Sequence, residues 1–237
     1  YRSTYKDKDG DEKIIATTQF ESTDARRAFP CWDEPARKAV FQSTLVIDSR
    51  LTAISNTGIR TQKDLPGTGK KEITFKDTIK MSTYLVAFIV GELEGGDAAV
   101  IDGVPLRVWS VPGKQHLTNF ARDIGISSLQ FFSEYYNRGY PGDKLDLVAI
   151  PDFAAGAMEN LGAITFRETA LLIDEKTASR SELERVADVV SHENAHMWFG
   201  DLVTMKWWND LWLNESFASW MGDKAVDAIH PEWDVWT

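Results

Sequence analysis

Apolar residues change their spacing once along this chain, near residue 111. From Ile14 to about Val111 they fall in short runs or alternate with polar residues, as in Ala39 to Ile47 and Ser82 to Val90. Turn clusters such as Pro66-Gly-Thr-Gly69 and Gly95-Gly-Asp97 separate the runs. A period near two, punctuated by glycine and proline, predicts antiparallel strands packed as a sandwich or saddle. After Val111 the period lengthens. Leu117, Phe120, Ala121, Ile124, Leu129, Phe132 and Tyr135 recur at helical intervals and predict an amphipathic helix that stops near Asn137-Arg-Gly139.

Beyond that helix, Leu145 to Ile150 predicts a strand, a glycine- and alanine-rich turn follows, and Gly162 to Ile173 reads as a second strand-like stretch. Two more helices are expected. Ser179 and Glu182 have capping-box spacing ahead of Leu183, Val186, Ala187 and Val190, and Asn209 or Asp210 is placed to cap a helix through Leu213, Phe217, Met221 and Ile229. Seven of the nine tryptophans lie between Trp198 and Trp236, a cluster expected to pack a core and an interdomain face rather than to cage a ligand. The pattern as a whole is α+β. A β-rich domain covers residues 1–111 and a helix-bearing domain covers 112–237, divided at Ser110-Val-Pro-Gly113.

Composition narrows the class. With 43% hydrophobic and 26% charged residues over 237 positions, the chain suits one or two soluble globular domains. Its longest apolar run, Tyr84 to Val90, is far short of the ~20 residues a membrane-spanning helix needs. The chain opens at Tyr1 rather than methionine, which suggests a piece of a longer protein with any targeting signal upstream. A single cysteine, Cys31, and a single glycosylation triplet at Asn214 lean towards a reducing, cytoplasmic compartment. A net charge of −10 speaks against nucleic-acid binding, which needs cations opposite phosphates. Residues 1–111 hold 16 basic and 16 acidic side chains, while 112–237 hold 10 and 20, so the whole deficit sits in the second half. Acidic surface for solubility accounts for it, and so do carboxylates gathered around a cation.

Candidate chemistry sits in His192-Glu193-Asn194-Ala195-His196. Helical residues four apart share a face, so both imidazoles can reach one metal ion while Glu193 faces water beside it. A catalytic zinc site of this type needs a third protein ligand and an open fourth position. Glu215, on the next predicted helix, can supply that ligand. Zinc held there acidifies water and polarises a peptide carbonyl, with Glu193 as the general base, so the expected reaction is amide hydrolysis. His116 and His230 lack such company and are expected to be surface or structural residues. Gly156-Ala157-Met158-Glu159-Asn160 offers small residues for the close approach of an extended peptide, and a carboxylate, Glu159, that can receive its α-ammonium.

These motifs together resemble the zinc aminopeptidases, the family that includes aminopeptidase N and the puromycin-sensitive type, with the latter the nearer match. Thr18 to Pro35, Met81 to Phe88, Trp198 to Trp208 and Trp212 to Ala218 extend the likeness nearly end to end. The resemblance implies a β-saddle domain on a thermolysin-like catalytic domain, both cut short here. It also implies one zinc ion held by His192, His196 and Glu215, with Glu193 as base. Glu159 and Glu21 would grip the free N-terminus of a peptide substrate, with Gln19 shaping the first side-chain pocket and the Gly156-Ala157 backbone running alongside. Glu21 and Gln19 enter only through the resemblance.

Two departures stand out. The family usually has leucine where this chain has Asn194 and tryptophan where it has Leu161. The resemblance further implies that an oxyanion-steadying tyrosine and a helical C-terminal domain lie downstream of Thr237, so that this stretch alone would be weakly active or inactive. A non-catalytic zinc- or peptide-binding module and a zinc endopeptidase are the competing expectations.

Overall fold

The computed structural model describes residues 1–236. Strands β1 (Arg2–Lys6) and β2 (Glu12–Thr17) form a hairpin, and β3 (Thr44–Asp48), β4 (Thr52–Ser55), β5 (Ile59–Leu65) and β6 (Lys70–Phe75) follow. With β7 (Phe88–Gly91) they make two antiparallel sheets, of order β1-β2-β7-β4 and β3-β6-β5. A third, mixed sheet is built from β8 (Glu94–Gly95), β9 (Ala99–Ile101), β10 (Val104–Ser110), β11 (Leu145–Ile150), β12 (Ala157–Met158) and β13 (Ala163–Arg167). In it β10, β11 and β13 run parallel, while β12 is an antiparallel edge strand on β13. The fold is α+β, and the third sheet takes strands from both sides of residue 111.

Helix α1 (Asn119–Tyr135) connects β10 to β11 and buries Phe120, Ile124, Leu129 and Phe132. Helices α2 (Arg180–His196) and α3 (Trp212–Ile229) pack on each other, and α2 also packs on α1. The cap expected for α2 is present in full: Ser179 accepts from the Glu182 amide and the Glu182 side chain returns to the Ser179 amide. No α-helix among the described residues is long and apolar enough to cross a membrane.

Three local expectations are corrected. The strand expected from Gly162 to Ile173 stops at Arg167, because its neighbour β11 ends at Ile150 before Pro151, and without a partner the chain turns at Glu168–Ala170. Neither Asn209 nor Asp210 caps α3. Both lie in a short turn, Trp208–Asp210, and α3 begins at Trp212 with no side-chain cap. Within the run Ser82 to Val90 only Phe88 onward is strand, and Thr83–Leu85 form a buried helical turn. Asn56 explains the break: its amide donates to Leu85 O at 2.7 Å and its carbonyl accepts from Ala87 N at 3.0 Å. A buried side chain thus takes the groups a strand partner would have used.

The same Asn56 amide donates to Leu161 O at 2.8 Å, and the buried Lys144 ammonium donates to Gly162 O at 2.7 Å and to Asp146. One apolar core runs from Ile15 and Ile89 through Leu106, Leu147 and Ile164 to Val190 and Met221. The early strands and the helical part are therefore packed together rather than strung on a linker.

Candidate functional site

Helical spacing places His192 and His196 on one side of α2, with their Nε2 atoms 3.0 Å apart. Glu215 arrives from the first turn of α3, its Oε2 3.4 Å from His192 Nε2 and 3.7 Å from His196 Nε2. Close helix packing makes this reach possible. A Cβ built on Gly222 would sit 3.0 Å from His192 N and 3.2 Å from its Cα, so glycine there lets α3 lie against the turn of α2 that bears the histidine.

Both rings are oriented from behind. His196 Nδ1 lies 3.1 Å from Phe199 O, a carbonyl that can only accept, so this nitrogen carries the proton. His192 Nδ1 lies 3.3 Å from Ser219 Oγ, whose own hydrogen goes to Glu215 O at 3.0 Å. The hydroxyl therefore accepts from His192. With both rings neutral, two bare Nε2 lone pairs face each other beside a carboxylate, an arrangement that calls for a proton or a metal cation between them. Two imidazoles and one carboxylate form a donor set that suits a divalent metal of zinc's softness. Such Nδ1 partners fix the ring orientation in metal sites.

Three more acids converge on this centre. Ligand atoms of Glu159, Glu193 and His196 all lie within 4.8 Å of one another, as do those of Glu21, Glu159 and Glu215. Glu159 is 3% exposed and Glu193 6%, and each has an oxygen without a hydrogen-bond partner among the described residues. Burial, with the Glu215 charge nearby, pushes the Glu159 carboxyl up to about 7. Burial and the neighbouring Glu159 push Glu21 up to about 8. Glu193 is raised well above the usual carboxylate range by burial and then by Glu159. At Glu215 burial works upward too, but hydrogen bonds and positive charge from protonated His192 and His196, a charge that a bound cation would replace, outweigh it and hold the group below that range. A pocket of uncompensated buried acids is costly unless positive charge enters it.

The remaining residues divide. Gln19 Nε2 donates to Met158 Sδ at 3.2 Å, which brings the early strands onto the β12 edge, and Gln19 Oε1 has no partner among the described residues. Gly156 and Ala157 stand at this edge, and a Cβ on Gly156 would meet nothing within 4 Å. Asn160 points inward instead, 3.3 Å from Thr165 Oγ1 and 3.4 Å from Ala163 O, and is fully buried. Asn194 donates to Gly125 O at 3.1 Å and Ser128 Oγ at 2.8 Å, while its own carbonyl has no partner among the described residues. Leu161 is buried. Sequence reasoning overlooked Phe199, Ser219, Tyr84, Lys38 and Asp201. Ser219 carried a signal in its position one helical turn after Glu215, and Tyr84, Phe199 and Asp201 lie in stretches that share the family likeness without a role attached to them.

Known families place the chain. A model of the peptidase family M1 domain matches residues 120–237, and one of the peptidase M1 N-terminal domain matches residues 1–85. The class is thus that of the M1 peptidase domains. The chain belongs to the M1 peptidase family. It is 51% identical over 236 residues to the puromycin-sensitive aminopeptidase of Caenorhabditis elegans and covers 25% of that protein. It is 50% identical over 237 residues to aminopeptidase M1 of Arabidopsis thaliana and 49% identical to the alanine/arginine aminopeptidase of Saccharomyces cerevisiae, covering 27% of each. All of this chain takes part in each match, so it spans about a quarter of the length of these relatives.

Proposed function

We propose that this chain carries the centre of a zinc aminopeptidase that removes single residues from peptides with a free N-terminus. The observation that carries the reading is the convergence of His192 Nε2, His196 Nε2 and a Glu215 oxygen beside three acids, Glu21, Glu159 and Glu193, that lack enough positive charge among themselves. His192, His196 and Glu215 would hold one zinc ion. When bound, zinc supplies Lewis acidity towards a peptide carbonyl and towards water. Glu193, next to the first ligand and kept ionised by the positive charge that such an ion would bring, takes a proton from the attacking water and delivers it to the leaving amine nitrogen. Glu159 and Glu21 bind the substrate's α-ammonium, which supplies the charge that offsets their burial. An acetylated N-terminus brings no such charge and leaves both acids unpaired. Gln19 and Met158 bound the space for the first side chain, and the open edge at Gly156-Ala157 can pair with the extended peptide. Cys31, unpaired, and the likeness to the puromycin-sensitive type suggest a cytosolic site of action.

Elemental analysis of the full-length protein, together with hydrolysis of free and N-acetylated alanyl and arginyl amides, tests this reading. One zinc per chain and turnover of free amines alone is the expected result. Equal cleavage of acetylated substrates would indicate an endopeptidase, and zinc without turnover a binding module.

A further inference from the structure

The turn that follows His196 is gripped by two residues from far earlier in the chain. Lys38 Nζ donates to Asp201 O at 2.9 Å and to Leu202 O at 3.1 Å. The Tyr84 hydroxyl, on a 1% exposed side chain, donates to Gly200 O at 3.3 Å. It also accepts from Asn214 Nδ2 at 3.3 Å, and Asn214 immediately precedes Glu215. The turn is itself folded onto the metal-facing helix: Asp201 N donates to His196 O, and Phe199 O accepts from His196 Nδ1. A Cβ on Gly200 would lie 3.0 Å from His196 Nδ1, so a small displacement of the turn moves the imidazole.

We propose that Tyr84 and Lys38 are positioning residues for the metal ligands, holding His196 through the 199–202 turn and Glu215 through Asn214. Their hydrogen bonds go to the turn and to Asn214, not to the histidine rings or the Glu215 carboxylate. Tyr84 is suited to the task because a single hydroxyl joins the two elements that bear ligands, α3 and the turn closing α2. Burial, then the nearby Glu159 and Asp201 charges, keep its phenol protonated and able to donate. Lys38 adds a charge-assisted clamp on two successive carbonyls that would otherwise be free to reorient. The early strands would in this way set how well the histidines and Glu215 converge, not merely cover them.

This inference rests on the zinc reading, and the test separates the two. Zinc release to a chromophoric chelator is followed in the full-length protein and in Tyr84→Phe, Lys38→Met and Ile73→Val. The last removes one methyl from a small core cluster formed with Ile47, Ala53 and Phe75, away from the turn. Both Tyr84→Phe and Lys38→Met are expected to release zinc roughly 10-fold faster, as loss of an outer hydrogen-bond partner does at metal sites. Ile73→Val is expected to release it at the wild-type rate despite a comparable loss of folding stability. Wild-type release from both variants, or equally fast release from Ile73→Val, overturns the positioning role while leaving the zinc reading intact. Absence of zinc from the wild-type protein overturns both.

Discussion

A carboxylate oxygen of Glu159 lies within 4.8 Å of one of Glu193, and both acids are buried. The folded metal-free protein therefore holds protons that the unfolded chain would have released. A carboxyl raised from its ordinary value to about 7, as Glu159 is, binds more protons folded than unfolded across roughly pH 4.5 to 7. Stability of the metal-free protein should fall as pH rises through that window, by on the order of 1–3 kcal/mol between pH 5 and pH 8. Glu159→Gln should remove that share of the fall and leave the part due to Glu21 and Glu193, which are raised as well. Urea unfolding of the metal-stripped protein at several pH values measures this, and a profile that rises with pH would refute it.

Glu193→Gln keeps the shape of the side chain and removes its ability to take a proton. It leaves all three proposed ligands in place. Hydrolysis of an alanyl amide should fall by roughly 10²- to 10⁴-fold with zinc content unchanged. Loss of zinc alongside activity would assign Glu193 to holding the metal instead.

How much of this was readable beforehand depends on the distance over which each signal acts. The α2 cap and the shared face of His192 and His196 are set within four residues, so spacing alone located them. Glu21 lies on a separate element from Glu159 and was reached only through resemblance, since nothing local marks an acid that will be buried by another part of the chain. The run Tyr84 to Val90 misled for a related reason: its apolar residues signalled burial correctly, while Asn56, distant in sequence, decided that the first half would be a turn. The end of β13 likewise depended on Pro151 in its neighbour and not on any residue of its own.

Gly222 can be tested directly. A Cβ there would lie closer to the His192 backbone than ordinary van der Waals contact, and the obstructing atoms are backbone, which cannot swing aside. Gly222→Ala should cost about 1–3 kcal/mol of stability through overpacking, even though alanine is the better helix former. It should also weaken zinc retention by moving α3, and Glu215 with it. Thermal unfolding and zinc titration read the two effects, and a variant more stable than wild type would show that α3 has room to spare.

Asn194 presents a buried amide half satisfied. Its NH₂ group donates to Ser128 Oγ and Gly125 O, yet its carbonyl oxygen finds no partner among the described residues. Ser128 does not depend on it, because its hydroxyl donates to Ile124 O in its own helix at 2.8 Å. Asn194→Leu should therefore be near neutral or stabilising by about 1 kcal/mol, since it removes an orphaned acceptor and fills similar space with apolar atoms. Ser128→Ala should cost about 1–2 kcal/mol in the wild-type background, where it strips the Asn194 amide of a partner, and much less in the Asn194→Leu background. The double-mutant cycle should give a coupling of roughly 1 kcal/mol. If Ser128→Ala costs the same in both backgrounds, the contact between α1 and α2 at this point contributes nothing beyond packing.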